Sequence, residues 1–339
     1  MAREERPTLR TLASMTGLAV ATVSRALAND PQIALDTRSR VANAARTIGY
    51  SPDRAAQRLR TGRTNVIALV LNPHEEIIGY GSSMISGLTR ALRGTPYHLV
   101  VMPNFADREP LEQIENIVRN RLADGVLLSR TEPADMRVRL LLEHGFPFVS
   151  HGRTELATPH PFVDYDNFKF ARTAAHRLSK QGVHRPSMIP APSRLTFAQH
   201  LRMGFLRGCA EAGLEGNILE GVTLDSPPDS IYAHIAHLIE AGRLPDGLVC
   251  PGETSAMAAY AACSDAGHAD KCRLVMKSTS QVAGFIRPRI DSIFEDLAAA
   301  GERMGALLLR AIKGEQADAL NYLQPVPASG STDIDGDKE

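Results

Sequence analysis

Two neighbouring stretches decide the fold: residues 8–30, TLRTLASMTGLAVATVSRALAND, and residues 37–71, TRSRVANAARTIGYSPDRAAQRLRTGRTNVIALVL. Thr8 carries an N-cap side chain and predicts a short helix to about Met15, with Leu9, Leu12 and Ala13 on its inner side. Gly17 breaks that helix, and a second is predicted from about Val20 to Ala28. A turn this tight makes three steric demands: a small side chain at the crossing (Ala13), a residue free to take positive φ (Gly17), and an apolar plug between the helices (Val23). Asp36 is read as the cap of a third helix over about 37–48, with Val41, Ala44, Ala45 and Ile48 on one side. The pattern is that of a helix-turn-helix.

Charge locates what this unit meets. The 339 residues carry 38 Lys+Arg against 38 Asp+Glu, a formal net charge of zero that argues against nucleic acid at first sight. Residues 1–63, however, hold eleven Arg, no Lys and five acids, a net of +6, and the remaining 27 basic and 33 acidic residues give −6. The zero is a cancellation, and the N-terminal unit is a basic module. A generic helical cap domain explains the turn without explaining the charge, so DNA binding is the stronger reading. On the second helix Val20, Ala21, Thr22, Ser24 and Arg25 lie toward the exposed N-terminal half. Ala21 and Arg25 share a face; Arg can bond guanine O6 and N7 bidentately, and a small apolar side chain can touch a thymine methyl. Thr22 and Ser24 suit phosphate oxygens, which fix register without reading sequence.

The run ATVSRAL (21–27) together with GYSPDRAAQRLR (49–60) closely resembles the lactose-repressor (LacI) family of bacterial transcription regulators. The resemblance implies that Val20 and Ala21 fall on the operator-reading pair and Arg25 on a base-contacting position. Thr8, Tyr50, Ala56 and Leu59 complete the expected DNA-contact set. The family often has Asn directly after A-L, where this chain has Ala28, with Asn29 one later; one polar DNA contact is therefore missing from the pattern.

Pro52 restricts Ser51 to an extended conformation, which ends the third helix. Asp53–Arg60, DRAAQRLR, is one short helix, too short to stand alone, with Leu59 its single large apolar residue. Leu59 either tucks against the body or, as the resemblance implies, pairs with its partner copy and wedges into a minor-groove base step. A segment that folds only when two copies meet over DNA also supplies a switch.

Beyond residue 64 apolar strand-length runs alternate with helical stretches: VIALVL (66–71), YHLVVMP (97–103), DGVLLS (124–129) and FPFVS (146–150), with helices near 82–93, 110–121 and 134–143. A second series follows Asp166: helix 167–181, strand around 187–190, helix 197–212, strand 218–224, helix 229–241, strand 247–250, helix 254–266 and strand 273–276. Such alternation predicts two doubly wound parallel sheets, and the resemblance implies two subdomains of periplasmic-binding-protein type with a small molecule in the cleft. The expected organisation is a headpiece at 1–52, a hinge at 53–63, an effector-binding core at 64–327, and a disordered polar tail at 328–339.

Ligands of doubly wound sheets sit at strand carboxyl ends, which makes Asn72, Arg130, His151, Arg153, Asp166, His200, Glu253 and Lys277 the effector-contact candidates. FVDYDN (162–167) and AHRLSKQGVHR (175–185) match family landmarks, but others are altered. Relatives often place a ligand-gripping Arg three residues before G-F; here QHLRMGF (199–205) puts Leu201 there and Arg202 one later. One residue rotates a helical side chain by about 100°, so Gln199 or His200 is expected toward the cleft. The usual A-N-D reads Pro251-Gly252-Glu253, and V-G-F/Y-D reads Val275-Met276-Lys277-Ser278. Arg130 and Lys277 point to an acidic or polyhydroxylated ligand, most readily a sugar, and HGRTE (151–155) with HPFVDYDN (160–167) is similar to regulators of α-glucoside uptake within the family.

Enzymatic signatures are missing from the sequence. GYGSSM (79–84) fails G-x-G-x-x-G at its last position, and neither a phosphate-binding G-x-x-x-x-G-K-[ST] nor a G-x-S-x-G elbow occurs. His234 and His237 share a helical face but lack a Cys or carboxylate ligand motif, so no metal or other cofactor is expected. The competing reading is a solute-binding or sugar-converting protein with an appended basic N-terminus. The start MAREERPTLR has no apolar signal core, no run approaches a membrane span, and the four cysteines form no C-x-x-C, all of which fit a cytoplasmic protein with reduced thiols. With no leucine heptads after 327, a homodimer on a pseudo-palindromic operator is expected, not a tetramer.

Overall fold

The computed structural model describes residues 7–50, 58, 61–71, 80–103, 110–280, 285, 287, 289–316 and 320–327. The hinge segment 53–57, Leu59 and the tail 328–339 lie outside the described residues. The chain divides into two compact units, Met1–Thr64 and Asn65–Glu339. Among the described residues no helix is long and apolar enough to cross a membrane, and the four cysteines are buried free thiols.

The first unit is three helices, α1 (Leu9–Thr16), α2 (Val20–Leu27) and α3 (Leu35–Thr47). Thr8 caps α1 through a reciprocal pair: its hydroxyl accepts from Thr11 N at 3.3 Å and Thr11 Oγ1 accepts from Thr8 N at 3.1 Å. Gly17 ends α1 at φ +66°, the left-handed conformation that a side chain resists. Leu12, Ala13, Val23, Ala26, Val41 and Ala45 form the buried core, so Ala13 and Val23 occupy the places the turn demands. The third helix starts earlier than its sequence signal. Ala34, not Asp36, is its N-cap, with no side-chain cap bond, and Asp36 lies in the first turn, where its charge favours the helix dipole instead.

The second unit contains two parallel sheets. Strands β1 (Val66–Leu71), β2 (His98–Pro103), β3 (Gly125–Ser129), β4 (Phe148–His151), β5 (Phe162–Tyr165) and β11 (Asn321–Gln324) form the first, ordered β11-β5-β4-β3-β1-β2. Strands β6 (Pro186–Met188), β7 (Asn217–Ile218), β8 (Gly247–Cys250), β9 (Arg273–Ser278) and β10 (Asp291–Phe294) form the second, ordered β10-β9-β8-β6-β7. Every strand pair is parallel. Helices α4 (Tyr80–Leu92), α5 (Pro110–Arg119) and α6 (Met136–Glu143) belong to the first sheet's connections, and α7 (Asn167–Lys180), α8 (Thr196–Ala212), α9 (Pro228–Glu240) and α10 (Glu253–Asp265) to the second's.

The two subdomains are not divided by sequence order alone. After β10 the chain returns: α11 (Leu297–Ile312) packs its Leu297, Met304 and Leu308 into the first sheet's core, and β11 pairs with β5. Val326 then joins the second core. The strand expected over 218–224 is only the two residues of β7. Helices α7 and α8 approach through Gly204, where an added Cβ would sit 2.1 Å from Phe168 O. That contact fixes the roll of α8, burying Leu201 and turning Arg202 to solvent.

Candidate functional site

The strand carboxyl ends of both sheets meet around an open cleft of about 730 Å³, part of it continuous with solvent. From the first subdomain come Tyr80 on α4, Ser129, Arg130 and Thr131 at the end of β3, His151, Gly152 and Arg153 at the end of β4, and Asp164 and Tyr165 on β5. The second subdomain supplies Asn167 at the start of α7, Thr196 and Phe197 at the start of α8, Leu224, Pro251 after β8, and Lys277 on β9, and Glu295 follows β10. Strand ends supply the polar groups because in parallel sheets they all face one edge.

The cleft floor is a buried ionic network. Lys277 Nζ lies 3.0 Å from Glu295 Oε2, with the two side chains 6% and 5% exposed. Lys277 also donates to Asn167 Oδ1 and stands over the rings of Tyr165 (4.7 Å) and Phe170 (5.2 Å). Tyr80 Oη and His151 Nδ1 share a hydrogen bond at 3.0 Å, while His151 Nε2 lies 3.8 Å from Glu295 Oε1. His151 Nε2 is buried with no hydrogen-bond partner among the described residues. Burial holds the His151 pKa below its ordinary value, which keeps the ring neutral, with one nitrogen a donor and the other an acceptor.

Asp164 is the second buried acid. Its Oδ1 accepts from Tyr165 N at 2.9 Å, and Oδ2 lies 3.2 Å from Arg153 Nε without satisfying hydrogen-bond geometry. Desolvation outweighs the Arg153 charge and pushes the Asp164 carboxyl up to about 6.

Contacts between the subdomains span one side of the cleft. Arg130, held at φ +55°, pairs with Asp225. Arg194 Nη2 reaches the same carboxylate at 3.3 Å and its Nη1 lies 3.9 Å from Glu132. Thr196 N donates to Thr131 O at 3.0 Å. The backbone under Arg130 is pinned by buried Arg137, which donates to Ser129 O (3.2 Å) and Arg130 O (3.0 Å).

Of the sequence candidates, Arg130, His151, Arg153 and Lys277 line the cleft together. Asp166, His200 and Glu253 are not among its lining residues. Asp166 caps α7 through its bond from Lys169 N at 2.9 Å. Glu253 is buried with its carboxylate filled by Thr279 N, Thr279 Oγ1, Ser280 N and Ser280 Oγ at 2.9–3.2 Å, tying α10 to the end of β9. His200 is half-buried on α8, with Nδ1 unpartnered among the described residues. Gln199 is exposed; Thr196 and Phe197 are the residues of α8 that reach the cleft. Asn72 lies outside the described residues.

In the first unit Val20, Ala21 and Arg25 are exposed along α2, and Thr22 is partly so. Ser24 is half-buried on the same helix, Thr8 is exposed at the cap of α1, and Tyr50 packs against the core of the unit. Ala56 and Leu59 lie outside the described residues.

Two family models match this chain in the same two parts. Residues 8–53 match "Bacterial regulatory proteins, lacI family", and residues 64–312 match "Periplasmic binding proteins and sugar binding domain of LacI family". The chain belongs to the LacI family. A similar curated LacI-type relative is the HTH-type transcriptional regulator AglR of Rhizobium meliloti (strain 1021), 31% identical over 90% of this chain and 87% of its own. Among solved structures, a transcriptional regulator CelR–cellobiose complex is 25% identical with a TM-score of 0.66, covering 95% of this chain and 98% of that one. The lac repressor dimer bound to operator and the anti-inducer ONPF, at 18% identity, shares the fold with a TM-score of 0.79 over 95% of this chain and 97% of that one. As a LacI-family member the chain is a DNA-binding transcriptional regulator, with a helix-turn-helix unit joined to a sugar-binding type of core.

Proposed function

We propose that this regulator is a dimeric cytoplasmic repressor whose affinity for a pseudo-palindromic operator is set by a neutral sugar bound in the core cleft. The observation that carries the choice of ligand is the pairing of charges. Each cation of the cleft has an acid beside it: Lys277 has Glu295, Arg153 has Asp164, and Arg130 has Asp225. An added carboxylate would meet Asp164 and Glu295 in a poorly solvated space, where like charges repel strongly. Hydroxyl groups both donate and accept, so a polyol can satisfy mixed partners such as His151 Nε2 and Asp164 Oδ2 without adding charge. Phe197 and Tyr80 offer apolar surface to a sugar ring face. The cellobiose named with the CelR structure, 25% identical to this chain, favours a disaccharide.

Arg25 on α2 is the base-reading residue of this proposal, and Leu59 the minor-groove wedge. Ligand binding shifts the equilibrium between core states with hinges held together or apart, and operator and sugar then weaken each other reciprocally. A thermal-shift comparison of cellobiose, maltose and glucuronate on the full chain tests the ligand class. A neutral disaccharide at 100 times its Kd should add about 2.7 kcal/mol of stability. A response to glucuronate alone would refute the neutral-ligand reading.

A further inference from the structure

Arg25 does not project from α2 as a free side chain. Its Nε donates to Asp30 Oδ2 at 2.8 Å and its Nη2 donates to Gln32 Oε1. Nε and Nη2 form one edge of the planar guanidinium, so a carboxylate and an amide oxygen occupy that edge together. The opposite, terminal edge between Nη1 and Nη2 keeps a pair of N–H groups with the spacing that matches guanine O6 and N7.

The two acceptors are themselves built into the turn after α2. Asn29 takes φ +53°, which sends the chain back alongside the helix end. Asp30 N then donates to Arg25 O at 3.1 Å, so Asp30 is tied to Arg25 through both backbone and side chain. Asp30 Oδ1 accepts from Gln32 N at 2.9 Å, which turns Gln32 toward the same guanidinium. Ile33, whose N donates to Asp30 O at 3.0 Å, packs against the buried core and anchors the far end of the loop. The Arg25 contact and the Gln32 backbone bond together hold the Asp30 carboxyl below its ordinary pKa, so it stays ionised at neutral pH.

We propose that Asp30 and Gln32 are positioning residues for base reading: they clamp one edge of Arg25 so that the other edge is presented, pre-oriented, to a guanine in the major groove. The proposal rests on the reading that Arg25 touches a base, and it deepens that reading by naming what makes the contact selective. A long side chain left free would spend rotamer entropy on ordering and could settle on a phosphate instead. A carboxylate on a DNA-facing surface also opposes the phosphates, so its presence there calls for a local benefit.

The test uses the full-length protein and the consensus duplex it selects from a randomised DNA pool, with the base preference at each half-site position read by competition. Wild type should prefer guanine at one position of each half-site by roughly 5- to 150-fold. Arg25→Ala should abolish that preference. Asp30→Asn keeps the carbonyl that holds Gln32 N but turns a donor toward Arg25, and Gln32→Leu keeps volume and removes the acceptor. Each should cut the preference at that same position several-fold, leave the other positions unchanged, and leave binding to random duplex undiminished. A purely structural role would instead lower the melting temperature and weaken selected and random DNA alike, and that result would overturn the proposal. Loss of preference in Arg25→Ala with full preference in Asp30→Asn and Gln32→Leu would overturn the clamp while sparing the Arg25 contact. Unchanged preference in Arg25→Ala would overturn both.

Discussion

Lys277 on β9 and Glu295, the residue that follows the neighbouring strand β10, form an ion pair at 3.0 Å whose members are each about one-twentieth exposed. An ion pair so buried gains Coulomb energy only by giving up hydration, and its worth is specific geometry more than net stability. Removing one partner strands the other. Lys277→Met should therefore destabilise the chain by about 3–5 kcal/mol in urea unfolding, and Lys277→Met with Glu295→Gln should recover much of that. Both variants should lose sugar binding, since each removes a polar group of the cleft floor. Additive losses in the double variant would show that the pair is not coupled.

Asp164 gives the fold a pH signature. Burial raises its carboxyl from 3.8 to about 6, so between those values the folded chain holds a proton that the unfolded chain has released. Its contribution to stability therefore falls as pH rises through that window and stays low above it. Asp164→Asn should flatten this decline and add up to about 2–3 kcal/mol above pH 6. Urea midpoints measured from pH 4 to 7 check the sign; a decline unchanged in Asp164→Asn would assign the window to other groups.

Gly204 sets the roll of α8. An added Cβ 2.1 Å from Phe168 O cannot be absorbed by a flexible side chain, because the obstacle is backbone. Gly204→Ala should cost about 1–3 kcal/mol or more and displace Thr196 and Phe197, weakening sugar binding beyond the loss of stability. Gly17→Ala makes a contrast: nothing lies within 4 Å of its added Cβ, so its cost is the strain of φ +66° alone, about 1 kcal/mol. Thermal denaturation of the two variants checks the difference.

The headpiece was legible because its determinants are local: Ala13, Gly17 and Val23 lie within eleven residues of one another, with Gly17 ending α1 and Ala13 and Val23 meeting in one small core. The start of α3 was not, since Asp36 suits either a cap or a first turn, and Ala34 at the true cap offers no side-chain signal. In the body the apolar runs of β1, β3 and β8 announce buried parallel strands. β10 (DSIF) and β11 (NYLQ) are four-residue, mixed-polarity strands whose partners lie elsewhere in the chain, so no local pattern assigns them to a sheet.

The same limit shaped the site. Arg130, His151, Arg153 and Lys277 follow from the rule that ligands meet strand ends. Asp164 and Glu295 escape it because they lie on β5 (FVDY) and at the end of β10 (DSIF), short strands of mixed polarity that no apolar run announces. The motif FVDYDN draws attention to Asp166, yet the cleft is lined by Asp164, and Asp166 is spent on the helix cap. Glu253 was reachable as a strand-end acid, but the hydroxyl and amide donors of Thr279 and Ser280, distant in sequence, fill it.

The central claim is that a neutral sugar in the cleft controls DNA affinity. Fluorescence anisotropy of the full-length protein on its selected operator duplex, titrated with the neutral disaccharide that gives the largest thermal shift, tests it most directly. The account predicts that saturating sugar lowers operator affinity by roughly 5- to 150-fold, and that operator lowers sugar affinity by the same factor. A sugar that stabilises the core and leaves operator affinity unchanged would contradict it.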